Sequence, residues 1–211
     1  DGSVERGVRE YLAAHPDAGF EEVQAAVLAM EMLKADPQSF QAKRDVAMAN
    51  KKLAQVLTDW GKSRESIERL TETLRMFQEM SAADPRNTEY PYDVANTRYS
   101  IGKTYLTMKE YDAALASFQK AREEFQAILD STPNVYALRM SSLNLEGIGQ
   151  SYAALAEKNN RREFLQKALE NFGAALERFN KLKADGNLGE YDHKTIAGIE
   201  KQIEEAKDRI D

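Results

Sequence analysis

Two tripeptides have the composition of a nucleotide site. Gly61-Lys62-Ser63 and Gly102-Lys103-Thr104 match the close of a phosphate-binding loop. That chemistry needs a glycine five positions before the first glycine, a preceding strand, and free backbone amides curled around a phosphate. Val56 and Thr97 stand at those positions, and no strand precedes them. Inside a helix the amides are already bonded, so neither tripeptide is read as nucleotide-binding. Gly147-Ile148-Gly149-Gln150-Ser151-Tyr152 opens like a dinucleotide fingerprint but lacks its final glycine and its strand. Gly149 is read instead as a point of close helix packing.

Other chemistry is thinly supplied. The chain has no cysteine, which removes disulfides, thiol-ligated metals and cysteine nucleophiles. Its two histidines, His15 and His193, lack the paired spacing of metal ligands and are expected to be solvated. Acid–base work would fall on carboxylates such as Glu123-Glu124 or Glu204-Glu205. Adjacent residues on a helix point in different directions, so these are expected to be surface charges. No metal, no cofactor and no enzymatic activity is expected. Trp60, beside Gly61, is either a ligand anchor or a cap on the core beneath a turn.

The elements behind these residues repeat. Pro37, Pro85 and Pro133 are spaced 85−37 = 48 and 133−85 = 48, and two of them lie in identical Ala-Asp-Pro tripeptides. Asp45-Val46-Ala47 matches Asp93-Val94-Ala95 at that offset, and Phe77-Gln78 matches Phe125-Gln126. A third copy is looser. Ile148-Gly149 and Tyr152 match Ile101-Gly102 and Tyr105 at 47; Ala168, Phe172, Ala175 and Phe179 match Ala114, Phe118, Ala121 and Phe125 at 54. The difference, 54−47 = 7, places an insertion around Glu157–Arg162. Within each copy the apolar spacing is helical, as in Phe118, Ala121, Phe125 and Ile128. Small residues (Gly102, Ala114, Ala121) stand where two helices must approach, beside large ones (Tyr105, Tyr111, Phe118). Such a hairpin leaves an apolar stripe exposed and needs a neighbour stacked on it.

The spacing predicts helices over 3–14, 20–35, 41–59, 63–82, 91–108, 110–131, 136–157, 162–184 and 190–210. Val4, Val8, Tyr11 and Leu12 share a face of the first, and His15-Pro16-Asp17 with Gly19 breaks it. Pro91 limits how early the fifth begins. The last carries Ile196, Ile199, Ile203, Ala206 and Ile210 on one face and charges on the other.

At this point the chain resembles a tetratricopeptide repeat (TPR) array. The family's Leu-Gly-x-x-Tyr block, followed by Ala, Phe/Tyr and Ala, is similar to Ile101-Gly102-x-x-Tyr105 with Ala114, Phe118 and Ala121. It is similar also to Ile148-Gly149-x-x-Tyr152 with Ala168, Phe172 and Ala175. The first copy is degenerate: Leu53-Ala54-x-x-Leu57, then Ser66, Leu70 and Thr73, with Gly61 at the turn. The resemblance implies an all-α, TPR-like right-handed superhelix of stacked antiparallel helical hairpins with a C-terminal capping helix. Its parts would be a diverged capping hairpin over 1–36, repeats over 37–84, 85–132 and 133–186, and the cap over 187–211, all one domain. The wording Ala82–Asn87, Asp93–Ala95 and Ile101-Gly102, with the loop Ala184–Leu188, is similar to long-period bacterial TPR arrays. Some of those lie C-terminal to serine/threonine kinase domains, which implies the scaffolding or sensing part of a larger signalling protein.

In the family the first helix of each pair lines a concave groove. The Gly102 and Gly149 register carries that lining onto Met48, Lys51, Gln55 and Thr58; onto Asn96, Tyr99, Lys103 and Leu106; and onto Leu143, Glu146, Gln150 and Ala153. This mix suits an extended peptide or a partner helix. The family's carboxylate clamp is not matched beyond Lys51, because Gln55, Ser100, Leu143 and Gly147 fill its other places. The implied function is non-enzymatic binding of a protein or peptide partner. The alternative is an oligomerisation module whose groove is filled by its own chain or a second copy.

The totals, with aromatics at 9% and hydrophobics at 42%, are ordinary for a soluble protein. A chain of 211 residues allows one or two domains. A net charge of −6 supplies no basic field for nucleic acid, and no apolar run is long enough to span a membrane. The expectation is a cytoplasmic monomer or homodimer. The chain opens at Asp1 rather than Met, as a fragment or processed product would, which leaves room for a signal peptide, anchor or catalytic domain upstream.

Overall fold

The computed structural model of the protein describes residue 13, residues 20–159 and residues 161–210. Of the helix expected over 3–14 only Ala13 falls among these; Val4, Val8, Tyr11, Leu12, His15 and Gly19 lie outside the described residues. The described residues form eight α-helices and no strand. They are α1 (Phe20–Ala35), α2 (Phe40–Asp59), α3 (Ser63–Ala83), α4 (Glu89–Thr107), α5 (Tyr111–Ser131), α6 (Val135–Asn159), α7 (Arg162–Ala184) and α8 (Glu190–Asp208). The chain is all-α, built of TPR-like helical hairpins.

The repeat is written into the helix ends. Ser39, Asn87 and Asn134 stand at equivalent places (39+48 = 87, 87+47 = 134). Each accepts a hydrogen bond on its side-chain oxygen from a backbone N–H of the helix that follows: Ala42 at 3.1 Å, Glu89 at 2.9 Å and Ala137 at 2.9 Å. These caps satisfy donors that a helix N-terminus otherwise leaves orphaned. The turns close alike too. Lys62, Glu110 and Asn187 N–H groups donate back to the Leu57, Tyr105 and Leu182 carbonyls. The residue before each is left-handed: Gly61 at φ +75°, Lys109 at φ +60° and Gly186 at φ +69°.

Two expectations are adjusted. Helix α4 begins at Glu89 rather than 91, so Pro91 sits in its first turn, where no intrahelical partner is asked of the N–H that proline lacks. The insertion near Glu157–Arg162 mostly lengthens α6, which has 25 residues against the 19 of α4.

The chain forms two compact units, residues 1–100 and 101–211, divided within α4. In the first, α2 packs on α1 and α3. Its core holds Ala47, Phe77, Met80, Tyr90 and Val94, with Leu74 and Met76 against it. Ser66 stands where the other copies have Ala114 and Ala168, and its hydroxyl donates to the Ala54 carbonyl at 2.7 Å. That bond lets a polar residue sit at a point of close approach.

In the second unit α6 packs on α5 and α7, and α8 packs on α7. Phe118, Phe125, Phe172 and Phe179 are fully buried, each stabilising by about 1.5–3 kcal/mol by the area rule. Phe118 faces two glycines, Gly102 and Gly147, and Phe172 faces Gly149. The apolar face expected of α8 is present: Ile199 and Ala206 are buried, and Ile196, Ile203 and Ile210 are half-buried.

Candidate partner-binding faces

Ion pairs between a partly exposed arginine and a buried aspartate join the first helices. In the first unit Arg44 Nε on α2 lies 3.1 Å from Asp93 Oδ2 on α4, and its Nη1 lies 2.6 Å from Glu89. In the second unit Arg139 Nε on α6 lies 3.0 Å from Asp192 Oδ2 on α8. Asp93 and Asp192 are only 4% and 5% exposed. Arg44 and Arg139 are equivalent, since 139−44 = 95 = 48+47. The carboxylates they hold are therefore equivalent, and α8 stands where the first helix of a further repeat would stand. Asp192 also accepts the Gly189 N–H at 2.7 Å, which fixes the start of α8.

The sequence predicts α8 only as a cap. The register from Asp93 to Asp192 (192−93 = 99) aligns Lys201 with Gly102 and Glu204 with Tyr105, so the repeat's block is missing from α8 and its kinship is hidden. The same shift aligns Thr195, Gly198, Gln202 and Glu205 with Asn96, Tyr99, Lys103 and Leu106. These four residues were not singled out from sequence. The spacing of Arg44 and Arg139 was the available signal.

In the first unit Met48 and Gln55 are exposed, and Lys51, Thr58, Asn96 and Tyr99 are half-buried. Gln55 donates to Asp59 at 2.9 Å. Lys51 lies close enough to Asp93 to feel its charge, yet burial outweighs that attraction and brings its ammonium down to about 8. Asp93 itself is pushed up by burial, against the pull of Arg44 and then Lys51.

In the second unit Lys103 is exposed, and Leu106, Leu143, Glu146, Gln150 and Ala153 are half-buried. Here the structure brings predicted residues together. Gln150 Nε2 donates to Glu146 Oε1 at 2.9 Å and reaches Gln202 Oε1 at 3.5 Å. Burial raises the Glu146 carboxyl, opposed by a hydrogen bond from Gln202 and by the charge of Lys103. None of the twelve predicted positions is buried, whereas Ala54, Ile101, Ile148 and Gly149 on the same helices are.

Gly102 and Gly149 are packing points, as expected. Gly61 and Lys62 lie in a turn rather than inside a helix, with the Lys62 N–H bonded to the Leu57 carbonyl. Trp60 follows α2 at 41% exposure. Among the described residues no group of three or more His, Cys, Asp or Glu could hold a metal ion. No helix among them is long and apolar enough to cross a membrane.

No protein-family model matches the sequence, and a comparison with curated proteins gives no match. Solved structures do match. The crystal structure of BtubC (BKLC) from P. vanneervenii is 16% identical over 99% of this chain and 88% of that chain, with a TM-score of 0.43. The crystal structure of MamA is 16% identical over 89% and 88%, with a TM-score of 0.38. The de novo designed helical repeat protein DHR64 is 13% identical over 98% and 97%, with a TM-score of 0.40.

Proposed function

We propose that the chain is a non-enzymatic protein–protein interaction module that binds a peptide or partner helix. Each unit would offer a face made from its first helices. The first unit's would comprise Met48, Lys51, Gln55, Thr58, Asn96 and Tyr99, and the second's Lys103, Leu106, Leu143, Glu146, Gln150 and Ala153. The observation that carries this reading is that none of the twelve positions is buried, although each helix also carries buried neighbours. A face of amides, charges and scattered apolar side chains suits main-chain hydrogen bonding with modest apolar anchoring. The likeness of the repeat wording to bacterial arrays beside kinase domains favours a scaffolding or sensing role in a signalling protein.

The test is selection of a display library of linear peptides on the full chain, followed by binding measurements on Met48→Ala/Tyr99→Ala and Leu106→Ala/Leu143→Ala variants. Enriched peptides that lose affinity on one of these variants support the reading. Peptides indifferent to both would place binding elsewhere.

A second reading, self-association, is favoured by one observation. Leu28 and Met32 share a face of α1 and are 51% and 46% exposed, and exposed apolar patches mark contact surfaces. Light scattering over a dilution series tests it: a mass that falls on dilution supports it, and a constant monomer mass excludes it.

A further inference from the structure

We infer that the second unit selects its partner by a basic side chain, arginine or lysine, seated on Glu146 in the gap beside Gly198. The inference rests on the partner-binding reading above and gives one of its faces a chemistry.

Glu146 is half-buried. The donors on its carboxylate are the amides of Gln150, at 2.9 Å, and Gln202. Amide hydrogen bonds orient a carboxylate but do not neutralise it. Lys103 acts on it through charge alone, from an exposed position on α4. The carboxyl is pushed upward, which means that the charged form is under-compensated where it stands.

Gly198 supplies the space. In the repeat register it is equivalent to Lys51, Tyr99 and Glu146 (51+48 = 99, 99+47 = 146, 99+99 = 198). Three helices place a long side chain there, and α8 places none. A Cβ at residue 198 would meet no atom within 4 Å, and the backbone is not left-handed. No contact within the protein therefore calls for glycine, although glycine is among the poorest residues for a helix interior. The vacancy lies one turn from Gln202, whose amide reaches both Glu146 and Gln150.

A carboxylate, two amides and a missing side chain fit a cationic group on an extended stem. A guanidinium would meet the carboxylate edge-on, with N–H groups to spare for the Gln150 and Gln202 carbonyl oxygens. An ammonium would make the point-charge version of the same contact. An acidic side chain would be repelled.

The experiment uses the winning peptide from the display selection, labelled for fluorescence polarisation against the full chain. A shared arginine or lysine is expected among the winners. Replacing it by glutamine should weaken binding about 10- to 100-fold, as loss of a charge-assisted hydrogen bond does. Glu146→Gln, which keeps size and polarity, should cost the same factor, and the two losses should not add. Gly198→Leu should also block the peptide, while Gly198→Ala leaves the protein folded with weaker interference. If the winners share no cation, or bind wild type and Glu146→Gln equally while Leu106→Ala/Leu143→Ala weakens them, the basic-residue inference is wrong and the binding face stands. If no peptide is enriched, or none responds to any face variant, both fail together.

Discussion

The ring of Phe172 on α7 lies against the bare Cα of Gly149 on α6: a Cβ added there would stand 2.5 Å from its Cε1. Phe118 meets Gly102 in the same way, at 2.7 Å, within the preceding hairpin. One glycine and one phenylalanine thus set the closest approach of two helices, and they recur 47 and 54 residues later. The glycine's lack of a side chain is used for space, since neither residue is left-handed.

Gly149→Ala should therefore destabilise by about 1–3 kcal/mol, as overpacking does. Phe172 is fully buried and cannot swing into solvent. Combining the change with Phe172→Leu, which vacates the ring volume, should recover part of the loss. Urea denaturation of the two single variants and the double variant measures this. Additive losses would mean that the two residues are not coupled as the contact requires.

Lys109 is left-handed at φ +60°, at the position where Gly61 serves the preceding hairpin (61+48 = 109). A left-handed residue with a Cβ costs roughly 1–2 kcal/mol. Lys109→Gly relieves that strain but gives the unfolded chain more freedom, which takes back about 0.4–1 kcal/mol. The expected net is a stabilisation of about 0.5–1 kcal/mol, read as a higher denaturation midpoint at unchanged slope. A lower midpoint would show that the Lys109 side chain itself contributes to the fold.

Arg139 holds Asp192 with one guanidinium nitrogen and reaches the Asn187 carbonyl with another. Arg139→Ala leaves a carboxylate 5% exposed and without its cation. Removing one partner of such a pair costs about 3–5 kcal/mol in a fully buried setting. Arg139 is itself partly exposed, so about 2–4 kcal/mol is expected here. Hydrogen exchange should locate the effect in the amides of α8, with α2 and α3 unchanged. Exchange that rises evenly through the chain would contradict a local role.

Much of this was legible in the sequence because size patterns repeat. Gly102, Ala114 and Phe118 announce a close crossing, and their counterparts at Gly149, Ala168 and Phe172 confirm the period. Helix boundaries followed from Pro37, Pro85, Pro133 and the glycine turns. Gly147 was not read as a second seat for Phe118, because that contact joins different hairpins and leaves no local spacing rule. The ion pairs escaped for the same reason: Arg44 and Asp93 are 49 residues apart, and Arg139 and Asp192 are 53 apart. The repeat status of α8 could not be seen through a block pattern that α8 lacks. Hydrogen bonds join Glu146, Gln150 and Gln202 across α6 and α8, two predicted residues and one unmarked one.

Lys51 gives a prediction whose sign is set by burial. Its ammonium is lowered to about 8 from the ordinary lysine value near 10.5, because burial outweighs the attraction of Asp93. Below pH 8 the lysine is protonated in both folded and unfolded chains, and the cost of holding it charged in the fold is fully present. Between about 8 and 10.5 the unfolded chain binds the proton and the folded chain does not. Stability should therefore rise with pH across that window. Lys51→Met removes both the cost and the proton, so it should be more stable than wild type at pH 7 and lack that increment of stability on going to pH 9.5. Urea midpoints of both proteins at the two pH values decide it. A wild type that gains nothing relative to the variant would mean that the Lys51 ammonium is solvated in the folded chain. Asp93 would then be held by Arg44 alone, and position 51 would be open to a partner's carboxylate rather than turned inward.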